Sequence, residues 1–370
     1  MVRILELFGG IGAMTQALKK LNVNFEITDY VEIDKYAVAS YNAMNGTHFE
    51  PQDITEWNKD IDVDLIMHGS PCQDISLAGQ QAGADEGSGT RSSLMYETIR
   101  IVKKLKPKYV IWENVKNLIS KKHKHNFDRY LQALSEGGYT NYWQVLNAKN
   151  YGIPQNRERV FTISIRNDID KGYEFPPKQE LKLRLKDLLE DKVDEKYYLD
   201  DDKIKKISHW KSFQKPFEKV NGNNSIVQTL TARGAGEEHS GMITYSELLD
   251  ETTNMQEECL NIKNATKKGY LEAEVGDGIN ISSRMKWQRG NVQKQMIQTL
   301  NTEGNDRGVV LKDYKIRKLT PKECWRLMGF DDEAFEKASQ INSNTQLYKQ
   351  AGNSIVVNVL EAIFKELLGG

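Results

Sequence analysis

Apolar and polar positions over the first 165 residues follow two alternating periods. Short apolar runs at Ile4–Phe8, Glu26–Ile33, Val63–Met67, Tyr109–Trp112, Tyr142–Leu146 and Val160–Ile165 read as strands. Between them apolar residues recur at helical spacing near 13–21, 35–44, 93–105 and 125–136, and Gly137-Gly138 closes the last stretch. That rhythm predicts an α/β domain with a mostly parallel sheet covered by helices on both faces. From about 168 to 210 the chain turns charge-rich, with Pro176-Pro177 marking the exit from the sheet. Between 211 and 310 glycine and asparagine are common and helical periodicity fades, which predicts short strands and loops. Order returns at Thr320-Pro321-Lys322-Glu323, an N-cap, first-turn proline and acid that open a helix through Met328, stopped by Gly329. Val356 to Leu368 forms a second amphipathic helix. Both look built to return to the first domain. The expected division is 1–170 with 315–370 as one domain and 180–310 as a smaller one. Val227 to Thr231 (VQTLT) and Ile297 to Asn301 (IQTLN) echo each other, either as a repeated strand-turn unit or by coincidence.

Composition narrows the class. At 370 residues, with 39% hydrophobic and 28% charged positions, the chain reads as a soluble globular protein of about two domains. It has no apolar run long enough for a membrane span, and MVRILELFGG lacks the pattern of a cleaved leader. Three scattered cysteines, Cys72, Cys259 and Cys324, point to a reducing cytoplasm without a disulfide framework or zinc site. The net charge of −1 does not advertise a nucleic-acid partner. Local faces differ: Arg284 to Lys294 and Lys116 to Arg129 are basic, and such faces bind a polyanion by releasing its counterions.

The chemistry collects where strands end. Gly69-Ser70-Pro71-Cys72 follows the third strand, beside the glycine-rich stretch Gln80 to Gly89, which suits a lid. Cys72 is therefore a nucleophile or, alternatively, a small buried hydrophobe. The first strand runs into Phe8-Gly9-Gly10-Ile11-Gly12, and Glu32 ends the second strand, where it suits ribose hydroxyls. Thr15 stands in the third glycine's place of a dinucleotide fingerprint, so a cofactor with a single adenosine fits better than a nicotinamide dinucleotide. A plain glycine turn with a surface glutamate remains the alternative. Asp53 suits an adenine amine or is a surface carboxylate. Glu113-Asn114 leave the fourth strand at the same edge as Cys72, as a proton donor with its neighbour or as a helix cap. Arg157 and Arg159, two apart on extended chain, face one way, into the cleft or along a surface ladder.

The segments LELFGGIG, VEID, GSPCQDIS, RSSLMYE, ENVKN, QNRER, KLTPKECWRLMGF and QAGNSIVVNVL, in that order, resemble the bacterial and phage DNA (cytosine-5)-methyltransferase family along nearly the whole chain outside 170–310. The resemblance implies a Rossmann-like S-adenosylmethionine-dependent fold with a smaller, irregular β-rich recognition domain. It implies Cys72 as the nucleophile on carbon 6, Glu113 at ring nitrogen 3 and Arg159 on the cytosine carbonyl. Arg157 and Gln155 support the cleft, and Asn114 fixes local backbone and the base. For S-adenosylmethionine it implies Phe8, Gly10, Gly12, Glu32, Asp53, Pro71, Leu94, Asn353 and Ser354, with no metal. For double-stranded DNA it implies Gln73, Ser76 and Arg91 near the loop. Arg233, Arg284, Arg289 and Arg307 are its candidates for guanine or phosphate contacts. A cytoplasmic monomer is expected; the sequence leaves open whether a cognate restriction endonuclease exists as a separately acting partner. A tRNA methyltransferase of the same family and a non-catalytic DNA-binding relative are the alternatives. A nicotinamide dehydrogenase is the fold-level one. Gly9 stands where the family commonly has alanine, Ser70 where it has a second proline, Ile75 where it has phenylalanine and Ser92 where it has glycine.

Overall fold

In the computed structural model, residues 1–71, 94–200, 203–204, 259–281, 291–302, 307–311 and 315–369 are described. Six apolar segments build one sheet. They are β1 (Val2–Leu7), β2 (Phe25–Val31), β3 (Leu65–His68), β4 (Tyr109–Val115), β5 (Tyr139–Asn147) and β7 (Glu158–Arg166), in the order β2-β1-β3-β4-β7-β5. A two-residue strand, β6 (Gln155–Asn156), precedes β7. The pairs among β2, β1, β3 and β4 are parallel, whereas β7 runs antiparallel between β4 and β5. The expected mostly parallel sheet is present. The reversed strand is a feature that periodicity does not encode, because apolar runs carry no direction.

Helices α1 (Ala13–Lys20), α2 (Lys35–Asn45), α3 (Met95–Leu105) and α4 (Lys124–Glu136) connect the strands, close to the expected spans. Asp34 caps α2 by accepting from the Tyr36 N–H, and Gly46 ends it at φ +66°. At the far end α5 (Pro321–Arg326) opens with Thr320 and Glu323 bonded reciprocally as a capping box. Two helices not anticipated from the pattern follow, α6 (Asp332–Ser339) and α7 (Asn344–Asn353), before α8 (Val357–Leu368). The tail does return to the first helices. Helix α8 packs along α1. Helix α7 is tied to α2 by Ser40 Oγ to Gln350 Oε1 (3.0 Å), Gln350 Nε2 to the Tyr36 carbonyl (2.9 Å) and Lys349 Nζ to Asp34 Oδ2 (2.6 Å).

Beyond the sheet, β8 (Leu260–Lys263) and β9 (Tyr270–Ala273) form a hairpin. Strands β10 (Gly278–Asn280), β11 (Val292–Gln293), β13 (Arg307–Val310) and β14 (Ile316–Lys318) form an antiparallel sheet in the order β11-β10-β13-β14. Leu260, Ile262, Ala273, Ile279, Ile281, Val310 and Ile316 close a separate small core there. By its pairing β14 belongs to this unit. Strand β12 (Ile297–Gln298), the second member of the sequence echo, instead runs parallel to β6. The first member, Val227 to Thr231, lies outside the described residues.

Candidate active site

The register of β4 against β7 builds the centre. Val115 faces Arg159 and Glu113 faces Phe161, and facing residues of an antiparallel pair share one side of the sheet. Arg159 therefore reaches Glu113 diagonally, and its Nε lies 3.0 Å from Glu113 Oε1. Because β7 is reversed, its amino end meets the carboxyl end of β4, which delivers both groups to one edge. Glu113 lies inside β4 and is buried. Burial holds its carboxyl above the usual carboxylate range, opposed by the Arg159 and Arg157 guanidinium groups.

Arg157 sits between β6 and β7 and has a different task. It is buried, and its guanidinium donates to the backbone carbonyls of Leu300 (3.3 Å), Gly352 (3.1 Å) and Ser354 (2.7 Å). The expected pair of like-facing arginines is split: Arg159 meets the carboxylate, while Arg157 clasps the C-terminal motif. Gln155 works beside it, accepting from the Leu300 N–H (3.2 Å) and donating to the Leu327 carbonyl (2.8 Å). Arg307, expected at DNA, donates to the Thr299 carbonyl through Nε (3.1 Å) and Nη2 (3.0 Å), bracing the same β12 segment.

The end of β3 is fixed from β4. Asn114 Nδ2 donates to the Ser70 carbonyl (3.1 Å), and Trp112 Nε1 donates to Ser70 Oγ (3.0 Å). The second bond gives a reason for serine where proline is common, since proline has no acceptor for the buried indole N–H. A Cβ built on Gly69 would lie 3.9 Å from Glu113 Oε2 and 3.6 Å from Ile355 Cδ1, so three motifs meet there. Below, His68 bonds Tyr130 Oη through Nε2 (2.7 Å), and burial lowers its pKa to about 3, which keeps the ring neutral. Pro71 is half-buried at the end of this strand segment. Cys72, Gln73, Ser76, Arg91, Arg233, Arg284 and Arg289 lie outside the described residues.

The other half of the site is the turn after β1. Phe8 (φ +53°), Gly10 (φ +54°) and Gly12 (φ +75°) all lie in the left-handed region, a strained choice for an aromatic residue. The Gly10 N–H donates to Glu32 Oε2 (3.0 Å) and the Asp34 N–H to Oε1 (2.8 Å), so the carboxylate is aimed at the turn. Burial raises the Glu32 pKa even though these backbone donors oppose it. A Cβ on Gly10 would meet nothing within 4 Å, so the backbone there borders open space that a ligand can occupy. Phe8 and Leu94 both pack against the hydrophobic cluster on this side of the sheet. Asp53 Oδ1 is engaged locally, accepting from Thr55 N (2.9 Å) and Oγ1 (2.8 Å). Ser354 is buried and offers its carbonyl to Arg157, while Asn353 is exposed. Among the described residues no His/Cys/Asp/Glu cluster could hold a metal ion, and no helix is long and apolar enough to cross a membrane.

Two tyrosines escaped the sequence reading. Tyr30 on β2 donates to the Gly10 carbonyl (2.5 Å), and Tyr41 on α2 stacks on it with ring centroids 4.0 Å apart. The available signal was weak: an aromatic residue two positions before Glu32 reads as an ordinary strand residue.

Similarity to known proteins agrees with this arrangement. The model of the C-5 cytosine-specific DNA methylase family matches residues 2–369. Type II methyltransferase M2.ScrFI of Lactococcus lactis subsp. cremoris is 34% identical, over 99% of each chain. Orphan methyltransferase M.SPRI of Bacillus phage SPR is also 34% identical, over 99% of this chain and 97% of its own. In structure the chain is similar to a mutant of DNMT2 from Spodoptera frugiperda, with a TM-score of 0.66, 17% identity and full coverage of both chains, a likeness of fold. With the match spanning both halves of the site and the tail that joins them, the chain belongs to the C-5 cytosine-specific DNA methylases and is a methyltransferase of that class.

Proposed function

We propose that this protein transfers a methyl group from S-adenosylmethionine to carbon 5 of a cytosine turned out of duplex DNA, within a short specific sequence, using Cys72 as the nucleophile. The observation that carries the proposal is the ion pair of buried Glu113 with half-buried Arg159, beside the strand end that leads into Pro71-Cys72. A cytosine ring reacts poorly at carbon 5. Addition of the Cys72 thiolate to carbon 6 places electron density on carbon 5. Glu113, held toward its protonated form by burial, donates to ring nitrogen 3 and accepts the charge that addition pushes into the ring. Arg159 orients that carboxyl and holds the ring's carbonyl oxygen. Once carbon 5 carries the methyl group, loss of its proton to a base lets the Cys72 sulfur leave by elimination. Asn114 acts on the backbone at Ser70 and so sets where Cys72 begins.

The residues present suit the cofactor. Gly10 borders open space, and Glu32 is fixed by two backbone N–H groups with further lone pairs for ribose hydroxyls. Bound there, S-adenosylmethionine supplies an electrophilic methyl group. A stacked base hides its ring face, so the target must be extruded at a cost of a few kcal/mol. That cost falls to contacts from the segment after Cys72 and from the section between 180 and 310.

The test is tritiated methyl transfer to unmethylated duplex DNA, with tRNA alongside and Cys72→Ala as control, followed by bisulfite sequencing. Label at cytosines of one short motif, absent in the variant, is the expected result. Label in tRNA alone would move the substrate, and label in neither would overturn the catalytic reading.

A further inference from the structure

The turn that opens the cofactor half of the site rests on aromatic rings. Tyr30 is wholly buried on β2, and its hydroxyl donates to the Gly10 carbonyl at 2.5 Å. The N–H of the same residue is taken by Glu32 at 3.0 Å. Gly10 is thus gripped from both sides by residues two positions apart on one strand end. Tyr41 stacks on Tyr30 at 4.0 Å, and Phe49 packs on both rings at 5.5 and 5.9 Å. Tyr41 fills the space under Gly12, where a Cβ would come within 2.6 Å of its ring. Its hydroxyl is 3.0 Å from Thr15 Oγ1, in the first turn of α1.

The fit is closest at Gly9. A Cβ there would lie 2.5 Å from Tyr30 Cε2 and 2.8 Å from Cδ2, well inside van der Waals contact. The clash is with a ring locked between Tyr41 and the turn, not with the free end of a flexible chain. Gly9 has no left-handed φ that would itself demand glycine. Its lack of a side chain is therefore explained by the neighbouring ring and by nothing in its own backbone.

We propose that Tyr30 is a positioning residue for cofactor binding, and that Gly9 and Tyr30 form an exchangeable pair in which the ring takes the room of a side chain at position 9. The inference rests on the reading of this turn as the S-adenosylmethionine site. Tyr30 touches the turn and not the reacting atoms, so its effect belongs in cofactor affinity and not in chemistry. Loss of one part-buried hydrogen bond changes an equilibrium by up to about tenfold.

The experiment is calorimetric titration of S-adenosylhomocysteine into the full chain and into Tyr30→Phe, Gly9→Ala, Tyr30→Val and Gly9→Ala/Tyr30→Val. Melting temperatures and affinity for a DNA duplex are measured alongside. Tyr30→Phe keeps the ring and is expected to weaken binding about fivefold to tenfold. In turnover it raises KM for S-adenosylmethionine while kcat at saturation stays within about twofold, a split that general destabilisation does not give. Gly9→Ala should weaken binding at least about tenfold in the parent. In the Tyr30→Val background the same change should cost less than about twofold, which is the coupling expected of groups in contact. Equal affinity of Tyr30→Phe and the parent overturns the positioning role. Equal costs of Gly9→Ala in the two backgrounds overturn the pairing. Failure of the parent itself to bind S-adenosylhomocysteine overturns the cofactor reading and the positioning role together. The pairing is then still decided by whether Gly9→Ala lowers the melting temperature only when Tyr30 is present.

Discussion

Beneath the glycine turn after β1, Glu6 on β1 is 3% exposed and accepts from Thr15 Oγ1 at 2.9 Å. Burial raises its pKa from 4.5 to about 7, against the weaker pull of the Thr15 and Tyr41 hydrogen bonds. The sign of the linkage follows. Between about pH 4.5 and 7 the folded chain keeps a proton that the unfolded chain has released. Stability is then lost as pH rises through that window, and levels off above it. At about 1.4 kcal/mol per pH unit, the loss across the window comes to ~3 kcal/mol. Glu6→Gln keeps the shape and an acceptor for Thr15 but cannot ionise. Urea unfolding of both proteins between pH 5 and 8 isolates this group, because every other titrating residue is shared. The variant should gain on the parent by about 2–3 kcal/mol between pH 5 and 7. Parallel stability curves for the two proteins would refute the reasoning.

Two further substitutions probe the supports of the site. Arg317 binds Glu323 through two short bonds, 2.8 and 2.6 Å, with Glu323 fully buried. Arg317→Met should cost about 3–5 kcal/mol in denaturant unfolding, and Arg317→Met/Glu323→Gln markedly less, because the stranded charge is then gone. A Cβ on Gly352 would come within 2.4 Å of the Asn301 backbone. Gly352→Ala should therefore cost about 1–3 kcal/mol, read as a lower melting temperature. It should also reduce methyl transfer, because the Gly352 carbonyl holds Arg157.

The central sheet was legible because each of its strands is a short apolar run bounded by polar turns. Helices α1 to α4 were legible from their spacing, and α5 from the order of its capping residues. Strand direction was not. Residues Val160 to Ile165 read the same either way, and only the pairing of β7 with β4 shows that Arg159 arrives from a strand's amino end. Helices α6 and α7 were missed because DDEAFEKAS and NTQLYKQAGN carry few apolar residues. Only the end of the second, Gln350 to Asn353, falls within a motif of the sequence, QAGNSIVVNVL. Within the site, Glu113, Arg159, Gly10 and Glu32 were marked by residue type and order. The partners of Arg157 were not, since backbone carbonyls of Leu300, Gly352 and Ser354 leave no trace in side-chain identity. Ser70 looked like a departure until Trp112 supplied its partner.

The ties between α2 and α7 also set the order in which the molecule can assemble. Lys349 meets Asp34 across 315 positions of chain, and Gln350 meets Ser40 across 310. Contacts so remote in sequence form late, after the loop-closure entropy of the intervening chain has been overcome. During synthesis α2 leaves the ribosome long before α7, the segment that ties it down. Until α7 is in place, Asp34 and Ser40 lack those partners. A chain cut short before α7 is therefore expected to leave α2 without these ties and to fold less stably.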